Sequence, residues 1–223
     1  MCLAYNPLDT YNGGGTVKSF LIANPKGGVG KSTIATSLAA CFAKQGHKVM
    51  LGDIDRQQSA RSWLKMRSPA LPPIASWDVD PDRPARPPEG TTHVVLDTPA
   101  GLHGKQLAHV LKQVDRIIVP LQPSIFDILA TREFLDVLLE EKSIRKNPAF
   151  IGVVGMRVDA RTRSAAQLER FLQDAGLPVL TYLRDTQNYV QTAAHGMTIF
   201  DLSESRARQD WEQWLPIIEW AGK

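Results

Sequence analysis

Two lysines, Lys26 and Lys31, frame the glycine-rich stretch NPKGGVGKST that spans residues 24–33. An apolar run, Phe20-Leu21-Ile22-Ala23, precedes it, and a good helix former, IATSLAACFAKQ, follows it. Glycines at Gly27, Gly28 and Gly30 let backbone N–H groups around Val29 converge on an anion without side chains in the way. The start of the following helix adds about half an elementary positive charge. Lys31 is placed to reach terminal phosphates, and the hydroxyls of Ser32 and Thr33 suit Mg²⁺ and phosphate oxygens. The pattern G-x-x-x-x-G-K-[ST] fits only if its first glycine is relaxed, because Pro25 stands there. The loop reads K-G-G-V-G-K-S-T instead, and the extra cation at its entrance needs a reason.

Three carboxylates extend the set. Asp53 and Asp55 lie in MLGDIDRQQSA, and Asp97 ends the apolar run of HVVLDTPAG. Ligands of open α/β sheets bind outside the carboxyl ends of strands, so all three are expected at the mouth of the glycine loop. Asp97 is read as a metal-holding residue, directly or through water. Asp55 is read as catalytic. Asp53 is placed with the metal set, but residues alternate along a strand, so Asp53 and Asp55 cannot face the phosphate equally; a cap or hydrogen-bond acceptor is the other reading of Asp53. No Ser-His-Asp or Cys-His set accompanies them. The five histidines are scattered and read as structural or solvated.

The elements that must carry these residues alternate along the chain. Strands are predicted over Val17–Ala23, Val49–Ile54, His93–Leu96, Arg116–Leu121, Phe150–Met156 and Val179–Tyr182. Helices are predicted over Lys31–Gln45, Ser59–Lys65, Gly104–Gln113, Ile128–Glu141, Ser164–Ala175, Tyr189–Ala194 and Glu204–Trp220. Near-continuous apolar strands alternating with amphipathic helices predict an α/β fold, a mainly parallel twisted sheet with helices on both faces. The proline-rich stretch Ser68–Thr92 reads as a surface loop, with Ile74–Val79 as a short edge strand.

The 223 residues, 43% hydrophobic and 22% charged with a net charge of +3, suffice for one full core. A single domain is expected over 17–223, after a flexible lead-in at 1–16 that lacks the basic start and apolar core of a signal peptide. Two separated cysteines, Cys2 and Cys41, offer no metal or disulfide framework and fit a reducing cytosol. No apolar run approaches the roughly 18 residues needed to span a bilayer.

Taken together, K-G-G-V-G-K-[ST]-T, a D-x-D followed by glutamine, and D-T-P-A-G resemble the ParA/MinD family of deviant-Walker P-loop ATPases. VVGMRVDARTR and LRDTQNYVQTAAHGMTIFD match further segments of that family, and the likeness runs from Val17 to about Leu202. Arg56 departs from the proline usual in D-x-D-P-Q. The resemblance implies ATP and Mg²⁺ as cofactors, bound by residues 27–33, with Arg157 lining an adenine pocket. It also accounts for Lys26, which in such proteins crosses a homodimer interface to the nucleotide of the other subunit. A cation supplied in trans is worth ~10³–10⁵ in the rate of phosphoryl transfer.

The resemblance implies a cytoplasmic, nucleoid-associated ATPase that binds DNA non-specifically as an ATP dimer. It would position or segregate a cargo (a plasmid or large protein assembly), with hydrolysis stimulated by a cargo-bound partner. Basic residues gather in the second half of the chain, and Arg161, Arg163, Arg184 and Arg206 are the first candidates for phosphate contacts; Lys142, Arg145 and Lys146 belong to the same set. The alternative is a MinD-like membrane-cycling ATPase. Its test is the C-terminal RQDWEQWLPIIEWAGK, where Trp211, Trp214, Leu215 and Ile218 form an apolar stripe. A membrane helix wants a basic polar face. This one carries Asp210, Glu212 and Glu219 and is interrupted by Pro216, so it is expected to pack on the core. A metallocentre carrier on the same scaffold would need paired cysteines, and a small-molecule ligase would not need Lys26.

Overall fold

The computed structural model describes residues 17–77, 87–141, 144, 150–159, 161–176 and 179–223. The expected lead-in, Cys2 within it, and Lys142, Arg145 and Lys146 lie outside the described residues. Seven strands form one sheet, β1 Lys18–Ile22, β2 Val49–Asp53, β3 Ile74–Trp77, β4 His93–Asp97, β5 Arg116–Leu121, β6 Ile151–Gly155 and β7 Val179–Tyr182, in the order β3-β2-β4-β1-β5-β6-β7. Every pairing between neighbours is parallel. The proline-rich stretch does contribute the expected edge strand over Ile74–Trp77, and the last two positions of that expectation, 78 and 79, lie outside the described residues.

Alternation along β1 and β5 divides the core into two layers. Phe20, Ile22 and Ile118 face α1 (Lys31–Lys44) and the last helix, α7 (Glu204–Gly222). Leu21, Ile117 and Val119 face α3 (Gly104–Leu111), α4 (Ile125–Glu140) and α5 (Arg163–Ala175). Small residues, among them Ala35, Ser37, Ala39 and Ala40, let α1 press against the sheet, so that most of its circumference is buried. The chain reverses direction across the sheet beside β1, and the crevice outside its carboxyl end is where such sheets bind ligands.

Two helices start two residues or more before the expected position. Helix α4 begins at Ile125 rather than Ile128, because the Ser124 carbonyl accepts the Ile128 N–H at 2.9 Å and closes a turn outside the core. Helix α6 covers Gln187–Ala193, started by Thr186, whose hydroxyl accepts the Asn188 N–H.

The C-terminal helix requires a correction. Pro216 does not interrupt α7, which runs unbroken through it. The proline is on the exposed side, and Trp214 and Ile217 anchor the helix on either flank. The buried face is Ala207, Asp210, Trp214, Ile217, Trp220 and Ala221, rotated from the predicted stripe; Trp211 and Ile218 only border it and Leu215 is half-buried. Three cations lash the helix down. Lys18 donates to the Gly222 carbonyl at 2.5 Å, Arg116 lies over Trp220 at 4.8 Å and Lys44 over Trp211 at 5.2 Å.

At the amino end of the sheet His93, Phe42 and His47 stack closely, with His93 centroids 4.4 Å from Phe42 and 4.0 Å from His47. Burial, then the charges of His47 and Lys18, push the His93 imidazole down to about 3. A histidine held neutral in the folded state leaves stability intact above its unfolded value near 6.5 and drains it as pH falls from there toward 3. The urea midpoint of the wild-type chain is therefore expected to drop between pH 7 and pH 4.5. His93→Phe should show a smaller drop over the same interval; an equal drop would remove His93 from the account.

Candidate nucleotide-binding site

The glycine loop leaves β1 and is held at its entrance by a buried amide. Asn24 donates through Nδ2 to the Pro120 carbonyl at 2.8 Å and to Thr131 Oγ1 at 3.0 Å. Its Oδ1 accepts the Lys26 N–H at 2.9 Å. Gln122, just past β5, donates to the Gly28 carbonyl at 2.9 Å and fixes the loop's crest. Gly28 and Gly30 adopt φ of 75° and 98°, left-handed backbone that favours glycine. A Cβ on Gly30 would also meet the Met156 methyl at 2.7 Å.

Lys31 is buried in the first turn of α1, and its ammonium donates to the Lys26 carbonyl at 2.7 Å. Burial pulls its pKa down, against the opposing charges of Asp97 and Asp55. The Lys26 side chain, by contrast, has no hydrogen bond or ion pair with any described residue. The two lysines thus stand on one loop, one locked inward and one half-buried.

Ser32 Oγ donates to Asp97 Oδ2 at 2.6 Å, and the Thr98 N–H reaches Oδ1 at 3.1 Å. Asp97 is 1% exposed. Burial drives its carboxyl up to about 7; the Ser32 bond and Lys31 oppose the rise, while neighbouring Asp53 reinforces it. Parallel register sets Asp53 opposite Asp97 on adjacent strands. Asp53 is nevertheless occupied with backbone: its oxygens accept the Asp55 N–H at 3.0 Å and the Arg61 N–H at 3.1 Å, holding the turn into α2 (Ser59–Met66). That is the acceptor role open to it in the sequence. Asp55 is released from the strand end, caps the Gln57 N–H at 3.0 Å, and lines the cavity.

The cavity measures about 460 Å³ and is lined on the loop side by Gly27, Gly28, Gly30, Lys31, Ser32 and Thr33. Asp55, Gln57, Thr98 and Arg157 are among the groups that complete it. Arg157, at φ 53°, also lines a second hollow of about 250 Å³ that continues from Gly30 and Thr33 to Arg184, Thr186 and Tyr189. The first hollow presents ammonium and amide donors for a polyphosphate, and the second has the apolar edges of Met156, Tyr189 and Val190 for a flat ring. Among the described residues no three His, Cys, Asp or Glu form a metal cage. Mg²⁺ uses one or two carboxylates and completes its shell with phosphate oxygens and water. Ser32 and Asp97 are the oxygen pair that would hold it, and a cation there would relieve the cost of burying the Asp97 charge.

Three of the four arginines singled out as DNA contacts stand exposed. Arg161 forms a two-pronged pair with Asp159, at 3.0 and 2.9 Å, on a fully exposed surface. Arg163 opens α5 and Arg206 lies on α7, both exposed. Arg184 is different. It lines the second hollow and is bound to the buried Asp210, so its guanidinium is committed to the fold. The sequence reading missed Asn24, Gln122 and Tyr189. Asn24 stands within the quoted loop, but its partners are 96 and 107 residues away, beyond any local pattern.

The model of the CobQ/CobB/MinD/ParA nucleotide-binding domain matches residues 20–199. The chain is 30% identical over 194 residues to the maintenance of carboxysome distribution protein A of Gloeobacter kilaueensis, covering 84% of this chain and 86% of that one. It is also 30% identical over 191 residues to the chromosome-partitioning ATPase Soj of Thermus thermophilus, covering 70% and 76%. Among solved structures, the MinD cell division protein of Aquifex aeolicus superposes with a TM-score of 0.68 at 17% identity, over 92% of this chain and 95% of that one. A putative plasmid partition protein of Borrelia burgdorferi bound to AMPPNP superposes with a TM-score of 0.66 at 18% identity, over 92% and 99%.

Because burial raises the Asp97 pKa, ionising it costs folding energy as pH rises through about 4 to 7. Asp97→Asn is expected to stabilise the nucleotide-free chain at pH 8 by roughly 1–3 kcal/mol while impairing Mg²⁺-dependent nucleotide binding. Thermal melts at pH 5 and pH 8 check this: the gain should shrink at the lower pH.

Proposed function

The chain belongs to the CobQ/CobB/MinD/ParA nucleotide-binding family, and from that premise we propose that it is a Mg²⁺-dependent, ParA-like ATPase whose ATP-loaded homodimer positions cargo along DNA. The observation that carries this reading is the pair of lysines on one loop. Lys31 is buried and bonded to the Lys26 carbonyl, while the Lys26 side chain has no partner among the described residues. A second cation at the rim of a phosphate site serves best when the charge it neutralises belongs to a neighbouring molecule. Two copies facing each other would bring like-charged rims together, and triphosphates between them would convert repulsion into attraction. Loss of the γ-phosphate would then release the pair.

Placement supports the following roles. Backbone N–H groups of residues 27–33 and the Lys31 ammonium receive the phosphates. Ser32 and Asp97 would hold Mg²⁺, which would supply charge neutralisation when bound. Asp55, which lines the same cavity, orients the attacking water. The base rests in the hollow walled by Arg157 and Tyr189. For DNA, the exposed Arg163 and Arg206 are the better contacts, Arg161 being shared with Asp159. Carboxysome distribution and chromosome partitioning, named for two relatives, support cargo of that kind: a large assembly or a replicon that carries an activating partner. Helix α7 supports the DNA-cycling reading over a membrane one, since Trp214 and Trp220 are buried in the core. No helix among the described residues is long and apolar enough to cross a membrane.

Lys26→Ala is expected to bind ATP with near wild-type affinity, yet to stay monomeric by light scattering and lose hydrolysis by about 10²-fold or more. An ATP-dependent dimer at the wild-type level would overturn the assignment of Lys26. DNA binding should appear with ATP, not ADP, and weaken steeply as salt is raised. Arg163→Ala with Arg206→Ala should flatten that salt slope while leaving the ATP-dependent dimer in place.

A further inference from the structure

The C-terminal helix buries an aspartate where its face is otherwise apolar. Asp210 is 0% exposed, on the face that also buries Ala207, Trp214 and Ile217. Removing a carboxylate from water costs several kcal/mol unless it is paired, and an apolar side chain of similar volume often does as well for stability. Stability alone therefore does not call for a charge here.

Its partners supply the reason. Asp210 Oδ1 accepts from Arg184 Nε at 2.6 Å, and Oδ2 accepts from Asn188 Nδ2 at 2.7 Å. Arg184 lines the hollow that continues from the glycine loop, and Asn188 sits in the first turn of α6, beside Tyr189 of the same wall. The rest of α7 reinforces the grip. Gln209 Oε1 accepts Arg184 Nη1 at 2.6 Å, Gln213 Oε1 accepts the Arg184 N–H at 3.0 Å, and Trp214 Nε1 donates to the Tyr189 hydroxyl at 2.9 Å. Four residues of one helix thus converge on residues 184–189, the end of the link from β7 and the first turn of α6.

We propose that Asp210 is a positioning residue for nucleoside recognition: by fixing Arg184 and Asn188 it sets the wall against which the base rests, without touching the nucleotide itself. This rests on the nucleotide site proposed above. Phosphate binding by the loop between β1 and α1 is expected to be independent of it, because the loop is anchored through Asn24 and Gln122 by bonds in which Asp210, Arg184 and Asn188 take no part. Asp210 therefore contributes to the nucleoside part of the affinity and not to the polyphosphate part.

The two parts separate by calorimetry with Mg²⁺-ATP and with inorganic tripolyphosphate. Asp210→Asn keeps the shape and removes the charge. It is expected to weaken ATP about tenfold and leave tripolyphosphate within about twofold of wild type. Arg184→Met should weaken ATP similarly, and the double variant should be no worse than either single, because both act through one contact. Equal losses for ATP and tripolyphosphate, additive losses in the cycle, or unchanged ATP affinity in a folded Asp210→Asn protein would each overturn the proposal. A wild-type chain that binds neither probe would overturn the nucleotide site itself. Should Asp210→Asn fail to fold, Gln209→Ala with Gln213→Ala loosens the same arginine from outside the core. A loss of about threefold for ATP alone is then expected, and no selective loss would count as refutation.

Discussion

A carboxylate buried at the end of a central strand, bonded at 2.6 Å to a hydroxyl in the first turn of the neighbouring helix, is the constraint from which the rest of the site follows. Asp97 can sit there only because Ser32, the Thr98 N–H and the Lys31 charge offset part of its desolvation. The compensation is incomplete, and the carboxyl stays far above its usual range. A group held at such a cost in the empty fold is one that a cation can stabilise strongly. The tension between Asp97 and its surroundings is what the proposed metal–polyphosphate complex would relieve.

Strand register places this group. β4 lies between β2 and β1, so Asp97 is opposite Asp53 on one side and Ile22 on the other. The glycine loop then leaves β1 directly above the carboxylate. Asp53 is drawn into bonding the turn after it, which pushes the next acidic residue, Asp55, out over the cavity. Two carboxylates only two positions apart thereby take different places, one bonded to backbone and one lining the cavity. The same turn continues into α2, and Arg67, just past its end, is paired at 3.0 Å with Asp201 in a nearly dry environment. Gly196 makes that docking possible, since a Cβ there would come within 2.4 Å of the Arg67 backbone.

The far wall depends on a helix distant in the chain. α7 is braced against the sheet by three cations and in turn braces the segment after β7 through Asp210, Gln209, Gln213 and Trp214. Its tryptophans are spent on this packing rather than offered outward. The exposed large apolar side chains lie elsewhere, with Ile125, Phe126 and Leu129 grouped at the start of α4.

The sequence by itself determined what is local. Glycine spacing, the lysine and serine that follow, and the apolar runs ending in Asp55 and Asp97 settle the loop, its helix and the strands that carry them, because each depends on neighbours within a few residues. Periodicity also settled the layered α/β architecture, since buried parallel strands have to be apolar on both faces. Tertiary structure alone decided which groups meet across long separations. Asn24 bonds Thr131 and Gln122 bonds Gly28, while Arg184, exposed by composition, is captured by Asp210. It also decided which way α7 turns. A helical stripe containing Trp211, Trp214 and Ile218 fits the apolar period, but the carboxylate of Asp210 gains two donors only when the helix rotates it inward. Hydrogen-bond satisfaction of one buried charge outweighed the simplest apolar pattern, and no spacing in the chain announces such a bond before the partners are folded together.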